Sequence, residues 1–268
     1  MKGLGIIGVG AMGGAVARRL AVSGIISPQA VILADKRKEH LDRLAEELGT
    51  RRASVPELAA ESHTIIIAVK PNQVAEVLSE LKRELTPNHL LISLAAGVSL
   101  AALAEGTDKA QPLIRAMPNT PCLIGQGAVV LSPNAHVSQG QLDTAVEIFA
   151  ETGKVWVLPE AQLDAVTGLS GSGPAYVLLF LEALIDGGVA SGLSHEDARG
   201  LAIQTVLGAV QMAAETGQHP AILKNMVTSP AGTTAAGLTR LEKSGIRGAV
   251  IEAVLAAAAR SKEIQREQ

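Results

Sequence analysis

The sequence predicts an α/β protein in two parts: a doubly wound, mostly parallel sheet domain over residues 1–158 and an all-helical domain over residues 159–268. Three observations predict it. Through the first half, short β-branched runs alternate with helical segments over short connections, the pattern of a parallel sheet with helices on its faces. The first of those runs ends in a glycine cluster that opens a helix. Beyond Pro159 strand-like runs vanish, and helical periodicity continues almost to the end.

Taken in order, the expected strands are Leu4–Gly8, Val31–Ala34, Ile65–Val69, Leu90–Leu94 and Leu113–Ala116, with helices at Met12–Val22, Glu39–Leu48, Gln73–Leu81 and Leu100–Ala104 between them. Ala128–Leu131 and Lys154–Leu158 flank a helix at Gln139–Ala150 and finish the sheet at one edge. The second domain reads as helices at Ala161–Leu169, Pro174–Ala190, His195–Glu215, Ala221–Val227, Thr234–Lys243 and Arg247–Glu263. Ser194-His195-Glu196-Asp197 is an N-cap with an acidic first turn. Alanine and glycine are frequent there, and lysine is absent between Lys154 and Lys224. Helices with such small residues pack backbone-close and leave an apolar surface that subunit pairing would cover. A tightly packed monomeric bundle is the alternative.

Composition narrows the function. A chain of 268 residues, 47% hydrophobic and 18% charged, buries a core without disulfide or metal staples. Its net charge of −3 argues against a nucleic-acid or anionic-membrane partner. One Trp, one Tyr and two Phe leave little from which to build a base-stacking platform. Cys122 stands alone, which excludes an intramolecular disulfide and suits a reducing cytoplasm; it reads as a small buried residue. No apolar run reads as a membrane span, and the first one feeds a helix containing Arg18 and Arg19, unlike a signal peptide. The six histidines show no ligand spacing, so no metal site is expected.

Gly8-Val9-Gly10-Ala11-Met12-Gly13 follows the first strand inside a βαβ unit, the context in which a G-x-G-x-x-G fingerprint has meaning. Gly8 allows the tight turn, Gly10 lets the backbone approach a pyrophosphate, and Gly13 lets the helix pack on the sheet. The pyrophosphate would rest on the helix N-terminus. This reads as a dinucleotide site, with a glycine-rich turn that holds no ligand as the alternative. Asp35 ends the second strand where a ribose-binding acid belongs, and alone it would favour NADH. Lys36, Arg37 and Lys38 follow at a helix start, where cations oppose the dipole unless an anion is near. A 2′-phosphate would be that anion, so NADPH is favoured over NADH, with NADH left open. Ala68-Val69-Lys70-Pro71 and Ala95-Ala96-Gly97 lie at strand carboxyl ends, where such ligands bind.

Two glycine-rich segments in the second domain read as helix starts able to hold a small carboxylate: Ser170-Gly171-Ser172-Gly173-Pro174 and Thr228-Ser229-Pro230-Ala231-Gly232-Thr233-Thr234. Ordinary capping is the alternative for each. Glu160 and Asp164 flank the domain junction, and capping and catalysis are equally open to them.

Together these residues resemble the pyrroline-5-carboxylate reductase family. The resemblance rests on Gly8–Gly13, Ala68–Pro71, Ala95–Gly97, Arg115-Ala116-Met117-Pro118-Asn119-Thr120-Pro121, Asp164–Tyr176 and Val227–Thr234, and runs in order over essentially the whole chain. It implies a Rossmann domain and a helical dimerisation domain, with homodimers often assembled into decamers. It also implies reduction of the C=N bond of Δ1-pyrroline-5-carboxylate to L-proline by NADPH, the last step of proline biosynthesis. Carried over by motif, Thr234 would hydrogen-bond the ring nitrogen, and Ser229, Gly232 and Thr233 would form the carboxylate-binding loop. Asn225 lies near a cofactor-contacting stretch, and Glu160 matches an acidic position near the active site.

Two residues depart from the family pattern. Its Ser-Pro-Gly-Gly becomes Ser229-Pro230-Ala231-Gly232, so a left-handed backbone at Ala231 would carry strain. An asparagine expected before the third strand is Val55, which puts one cofactor contact in question. Two rival readings remain. A β-hydroxyacid dehydrogenase wants a lysine early in the second domain, and none occurs from Val155 to Leu223. A non-catalytic NADPH-binding protein would tolerate loss of the threonine loop, which is intact.

Overall fold

In the computed structural model, which describes residues 3–108 and 110–267, the first half forms one twisted sheet with helices on both faces. Its elements run β1 (Leu4–Ile7), α1 (Ala11–Ser23), β2 (Val31–Ala34), α2 (Lys38–Leu48), β3 (Arg51–Arg52), α3 (Val55–Glu61), β4 (Thr64–Ile67) and α4 (Val74–Leu81). They continue with β5 (Leu90–Ser93), α5 (Leu100–Glu105), β6 (Leu113–Met117), β7 (Gly127–Pro133), α6 (Gln139–Ala150) and β8 (Gly153–Val157). The strand order is β3-β2-β1-β4-β5-β6-β7-β8. All neighbours are parallel except β6 and β7.

The β-branched runs are explained by where they lie. Ile65 and Ile67 face one apolar layer and Ile66 the other, because successive side chains on a strand point to opposite faces. Both faces are covered, so β4 is wholly buried and shows no polar alternation. Ile6 sits opposite Leu33 and Ile66, which places β1 in the middle with β2 and β4 on either side. The chain reverses its direction of winding there. That reversal leaves a crevice beyond the carboxyl ends of the strands, where open parallel sheets bind ligands.

Every expected strand is present, most shifted by a residue or two at their ends. Two elements are new. β3 is a pair of exposed arginines at the sheet edge, and α3 is a seven-residue helix opened by a capping box in which Ser54 N–H donates to Glu57 Oε2 at 2.9 Å. Cys122 is fully buried, as expected of a small core residue.

The helical elements are α7 (Leu163–Val166), α8 (Gly173–Ala190), α9 (His195–Thr216), α10 (Pro220–Met226), α11 (Thr233–Lys243) and α12 (Ile246–Arg266). By compactness the described residues up to Ser172 and from Ala256 onward form one unit, and Gly173–Leu255 forms the other. Within the second unit α8 and α9 pack backbone-close: a Cβ built on Gly188 would stand 3.0 Å from Ala198 Cβ. Leu178, Leu179, Leu201, Leu207, Val210, Ile251 and Leu255 are more than half exposed in this single chain.

One expectation is corrected here. Ser170–Pro174 leads into α8 at Gly173, with Pro174 in the first turn, but a helical segment rather than a loop precedes it. The Ser172 N–H donates to the Thr167 carbonyl five residues back, at 2.9 Å, so a π-turn over Thr167–Gly171 carries the ladder from α7 toward α8. The Ser172 N–H is therefore already paired. For the same reason Glu160–Ala190 is a helical run long and apolar enough, by length and composition alone, to cross a membrane, where the sequence reading found none.

Candidate active site

The crevice at the switch point is a cleft of about 790 Å3 bounded by the loops after β1, β2, β4 and β5. Its floor is set by the glycine loop. Gly8 has φ +91°, and a Cβ there would come within 2.7 Å of the Ala68 carbonyl oxygen. Gly13 lies against the same residue, with a built Cβ 2.9 Å from Ala68 Cβ. Gly10 differs: the nearest atom to its built Cβ is an Arg37 guanidinium nitrogen at 3.7 Å. Its bare face opens on the cleft, as backbone approach to a ligand requires. Gly10 is also the N-cap of α1 and offers no side-chain acceptor, so the first-turn N–H groups remain available to an anion.

Asp35 lies beneath this loop. Its Oδ2 accepts the Val9 N–H at 2.8 Å, and its Oδ1 accepts the Arg37 N–H at 2.8 Å. Burial pushes the carboxyl pKa up, but hydrogen bonds from the Arg37 side chain and from the Arg37 and Val9 backbone outweigh it, and the net direction is down. Asp35 is therefore a charged clamp within the chain, as well as a lining residue.

Two of the cations after Asp35 have carboxylate partners within the chain. Lys36 pairs with Glu76 on α4, and Arg37 with Asp35 at 3.2 Å. Their placement beside a helix start is thus already offset by two carboxylates, which corrects the premise that they lack a nearby anion. Both still line the cleft.

Of the residues expected at this site, Gly8, Gly10, Ala11, Met12, Asp35, Lys36, Arg37, Ala68, Val69, Lys70, Pro71, Ala95 and Ala96 come together around the cleft. Val9 and Gly13 shape it from behind, and Gly97 turns the loop after β5 with φ +80°. Asn225 is exposed on α10, in the other unit, and is not among the lining residues. Ser54, Gln73 and Glu80 line the cleft without having been expected, and Val55 joins them as the first residue of α3. The Ser54-x-x-Glu57 signature was the signal for that corner.

In the helical unit, Ser229–Gly232 links α10 to α11. Ala231 has φ +57°, the one non-glycine residue with positive φ among those described, so the expected strain is present. Gly232 caps α11; its N–H donates to the Ser229 carbonyl at 3.1 Å, and a side chain there would collide with Ser229 Oγ. Ser229 and Thr233 are exposed, and Thr234 is half-buried in the first turn. The loop therefore presents two hydroxyls and a helix start.

Glu160 has a job inside the first unit. Its Oε1 accepts the Leu100 N–H at 2.7 Å and pairs with Arg115 Nη1 at 3.2 Å. Gly171 lies against Met117, a built Cβ standing 2.6 Å from its Cε. Asp164 accepts from Ser261 Oγ at 2.7 Å. Among the described residues no three His, Cys, Asp or Glu side chains gather as metal ligands would.

Comparison with known proteins agrees with this layout. A family model described as pyrroline-5-carboxylate reductase dimerisation matches residues 160–264. Another, described as NADP oxidoreductase coenzyme F420-dependent, matches residues 3–97. The pyrroline-5-carboxylate reductase of Methanosarcina acetivorans is 42% identical over 97% of both chains. That of Escherichia coli is 38% identical over 99% of both. Among solved structures, the Coxiella burnetii pyrroline-5-carboxylate reductase superposes with a TM-score of 0.93 at 36% identity, covering 98% of each chain. The Plasmodium falciparum pyrroline carboxylate reductase, solved with NADP bound, gives 0.87 at 35% identity over the same coverage.

Proposed function

The chain belongs to the pyrroline-5-carboxylate reductase family, and from that premise we propose that it reduces the C=N bond of Δ1-pyrroline-5-carboxylate to L-proline at the expense of NADPH. The observation that carries the proposal is near-full-length identity to reductases of that name, joined to a dinucleotide cleft whose glycines are each used.

The cleft fits the cofactor by the geometry of its own residues. Gly10 leaves open space where a pyrophosphate must approach, and no side chain caps the N-terminus of α1. Gly8–Met12 would hold the pyrophosphate, Lys36 and Arg37 the 2′-phosphate, and Ala68–Pro71 with Ala95–Gly97 the nicotinamide end. When bound, NADPH supplies a hydride. NADH, lacking the 2′-phosphate, would use the same cleft without Lys36 and Arg37.

This chain's part in the chemistry is to bind, orient and exclude. Ser229, Gly232 and Thr233 would receive the substrate carboxylate, and Thr234 Oγ1 would hydrogen-bond the ring nitrogen. An imine nitrogen is basic enough to be protonated near neutral pH, so Thr234 needs only to orient it. In this reading Gly171 and Ser172 would line the substrate side, with Glu160 as an acidic neighbour.

The family's dimerisation segment makes the protein an oligomer acting on a small molecule. We assign the exposed apolar residues of α8, α9 and α12 to a homodimer interface within residues 159–268, with decamers as the larger assembly and the cytoplasm as its place. The test follows NADPH oxidation by purified protein with pyrroline-5-carboxylate and measures proline formed. Stoichiometric proline supports the proposal; NADPH binding without turnover refutes it.

A further inference from the structure

Val9, in the middle of the glycine loop, is gripped at both ends of its backbone. Its N–H donates to Asp35 Oδ2 at 2.8 Å, and its carbonyl oxygen lies 2.7 Å from His40 Nε2 in the first turn of α2. A carbonyl can only accept, so Nε2 must be the protonated nitrogen. Nδ1 lies 3.2 Å from Arg43 Nη2, a group that can only donate. Both neighbours therefore specify the same neutral tautomer.

The position of this grip matters. Val9 precedes Gly10, the N-cap of α1, and Gly10 carries no side chain to fix the turn. The orientation of the Val9–Gly10 peptide thus decides where the free N–H groups of Gly10, Ala11 and Met12 point. Neither His40 nor Val9 lines the cleft, so His40 meets the loop from outside it.

We propose that His40 is a positioning residue for the dinucleotide: it holds the Val9 carbonyl and thereby aims the glycine-loop N–H groups at the pyrophosphate. The proposal rests on the cofactor reading above. Because the pyrophosphate is common to both dinucleotides, His40 serves NADPH and NADH equally, whereas Lys36 and Arg37 serve only the first.

The experiment compares wild type, His40→Leu and His40→Gln by equilibrium titration with NADPH and with NADH, and by steady-state kinetics. His40→Leu should weaken both dinucleotides by about five- to tenfold, the worth of one hydrogen bond, with kcat and the imino-acid KM unchanged. His40→Gln, whose amide N–H can reach the same carbonyl, should recover most of that loss. Arg43→Leu, an exposed change that leaves Nε2 in place, should produce a smaller loss of the same kind. Unaltered binding of both dinucleotides by a folded His40→Leu overturns the proposal. So does a loss confined to NADPH, or one confined to kcat. A wild type that binds neither dinucleotide would instead overturn the cofactor reading, and this proposal with it.

Discussion

Glu160 and Arg115 form an ion pair of 3.2 Å in which the arginine is buried and the carboxylate partly solvated, and the same Oε1 accepts the first N–H of α5. One side chain is thus counterion to β6 and cap to the helix that follows Ala95–Gly97. Its position beside Ala95–Gly97 is accounted for by these two contacts.

Glu160→Gln keeps an acceptor for Leu100 but leaves Arg115 charged and unpaired. Stability should fall by about 2–3 kcal/mol, below the cost for a fully buried pair because the carboxylate is partly wet. Urea unfolding measures it. The imino-acid KM separates the roles: if it is unchanged, Glu160 is structural, and if it rises sharply, Glu160 touches substrate.

Asp35 gives a pH dependence whose sign is determined. Its folded carboxyl is held below the usual carboxylate range. A depressed pKa contributes stability that is complete above the unfolded value and is lost as pH falls through the folded one. The protein should therefore lose stability and dinucleotide affinity together on the acid side of the usual carboxylate range. Asp35→Asn should flatten that limb of the stability profile and weaken cofactor binding at pH 7. A profile identical to wild type would exclude Asp35 as the loop's clamp.

Lys36 and Glu76 offer a selectivity prediction. Lys36 lines the cleft from the loop after β2, Glu76 lies on α4, and both are more than half exposed, so the pair is weak and screened by salt. Glu76→Gln should release Lys36 toward a 2′-phosphate and raise the NADPH-to-NADH preference by about two- to fivefold. Lys36→Met should lower it. Both effects should shrink in high salt, and kcat/KM for each dinucleotide is the measurement.

What was legible in the sequence follows from how far each interaction reaches along the chain. The strands were legible because burial on both faces demands apolar, β-branched runs, as in Thr64–Ile67. The glycine fingerprint was legible because its residues fall within six positions, although Gly8 and Gly13 are both held against the distant Ala68. β3 was not, since Arg51 and Arg52 join the sheet only through their backbones, opposite Ile32 and Leu33. Lys36 with Glu76, His40 with Val9 and Arg115 with Glu160 pair across 40, 31 and 45 positions. Nothing local marks such partners. The π-turn at Thr167–Gly171 was not legible because glycines that usually follow a loop here continue a helix: Gly168 and Gly171 lie within the turn, and Gly173 begins α8 just after it.

Thr234 is the residue on which the proposed chemistry depends most. Thr234→Ala removes one hydroxyl from a half-buried helix turn whose backbone bonds are unaffected. Turnover should fall by about tenfold or more, a lost hydrogen bond to a reacting group, while NADPH affinity stays the same. Thr234→Ser should restore most of it. Unchanged kcat in Thr234→Ala would remove the hydroxyl from the mechanism.

Ala231 can be tested in the opposite direction, by improvement. Its φ of +57° brings Cβ toward the following carbonyl, a strain of about 1–2 kcal/mol in an L-residue. The residue is exposed, so its methyl group contributes little packing to set against that strain. Ala231→Gly relieves the strain but gives the unfolded chain more freedom, which costs about 0.4–1 kcal/mol. The difference leaves a net gain between zero and about 1.6 kcal/mol, read as a higher midpoint in urea or on heating. Gly232 and Ser229 would keep their contact, so kcat should move less than twofold. A less stable Ala231→Gly would mean that the alanine restrains the loop more than it strains it, and the substrate KM should then rise with the added freedom.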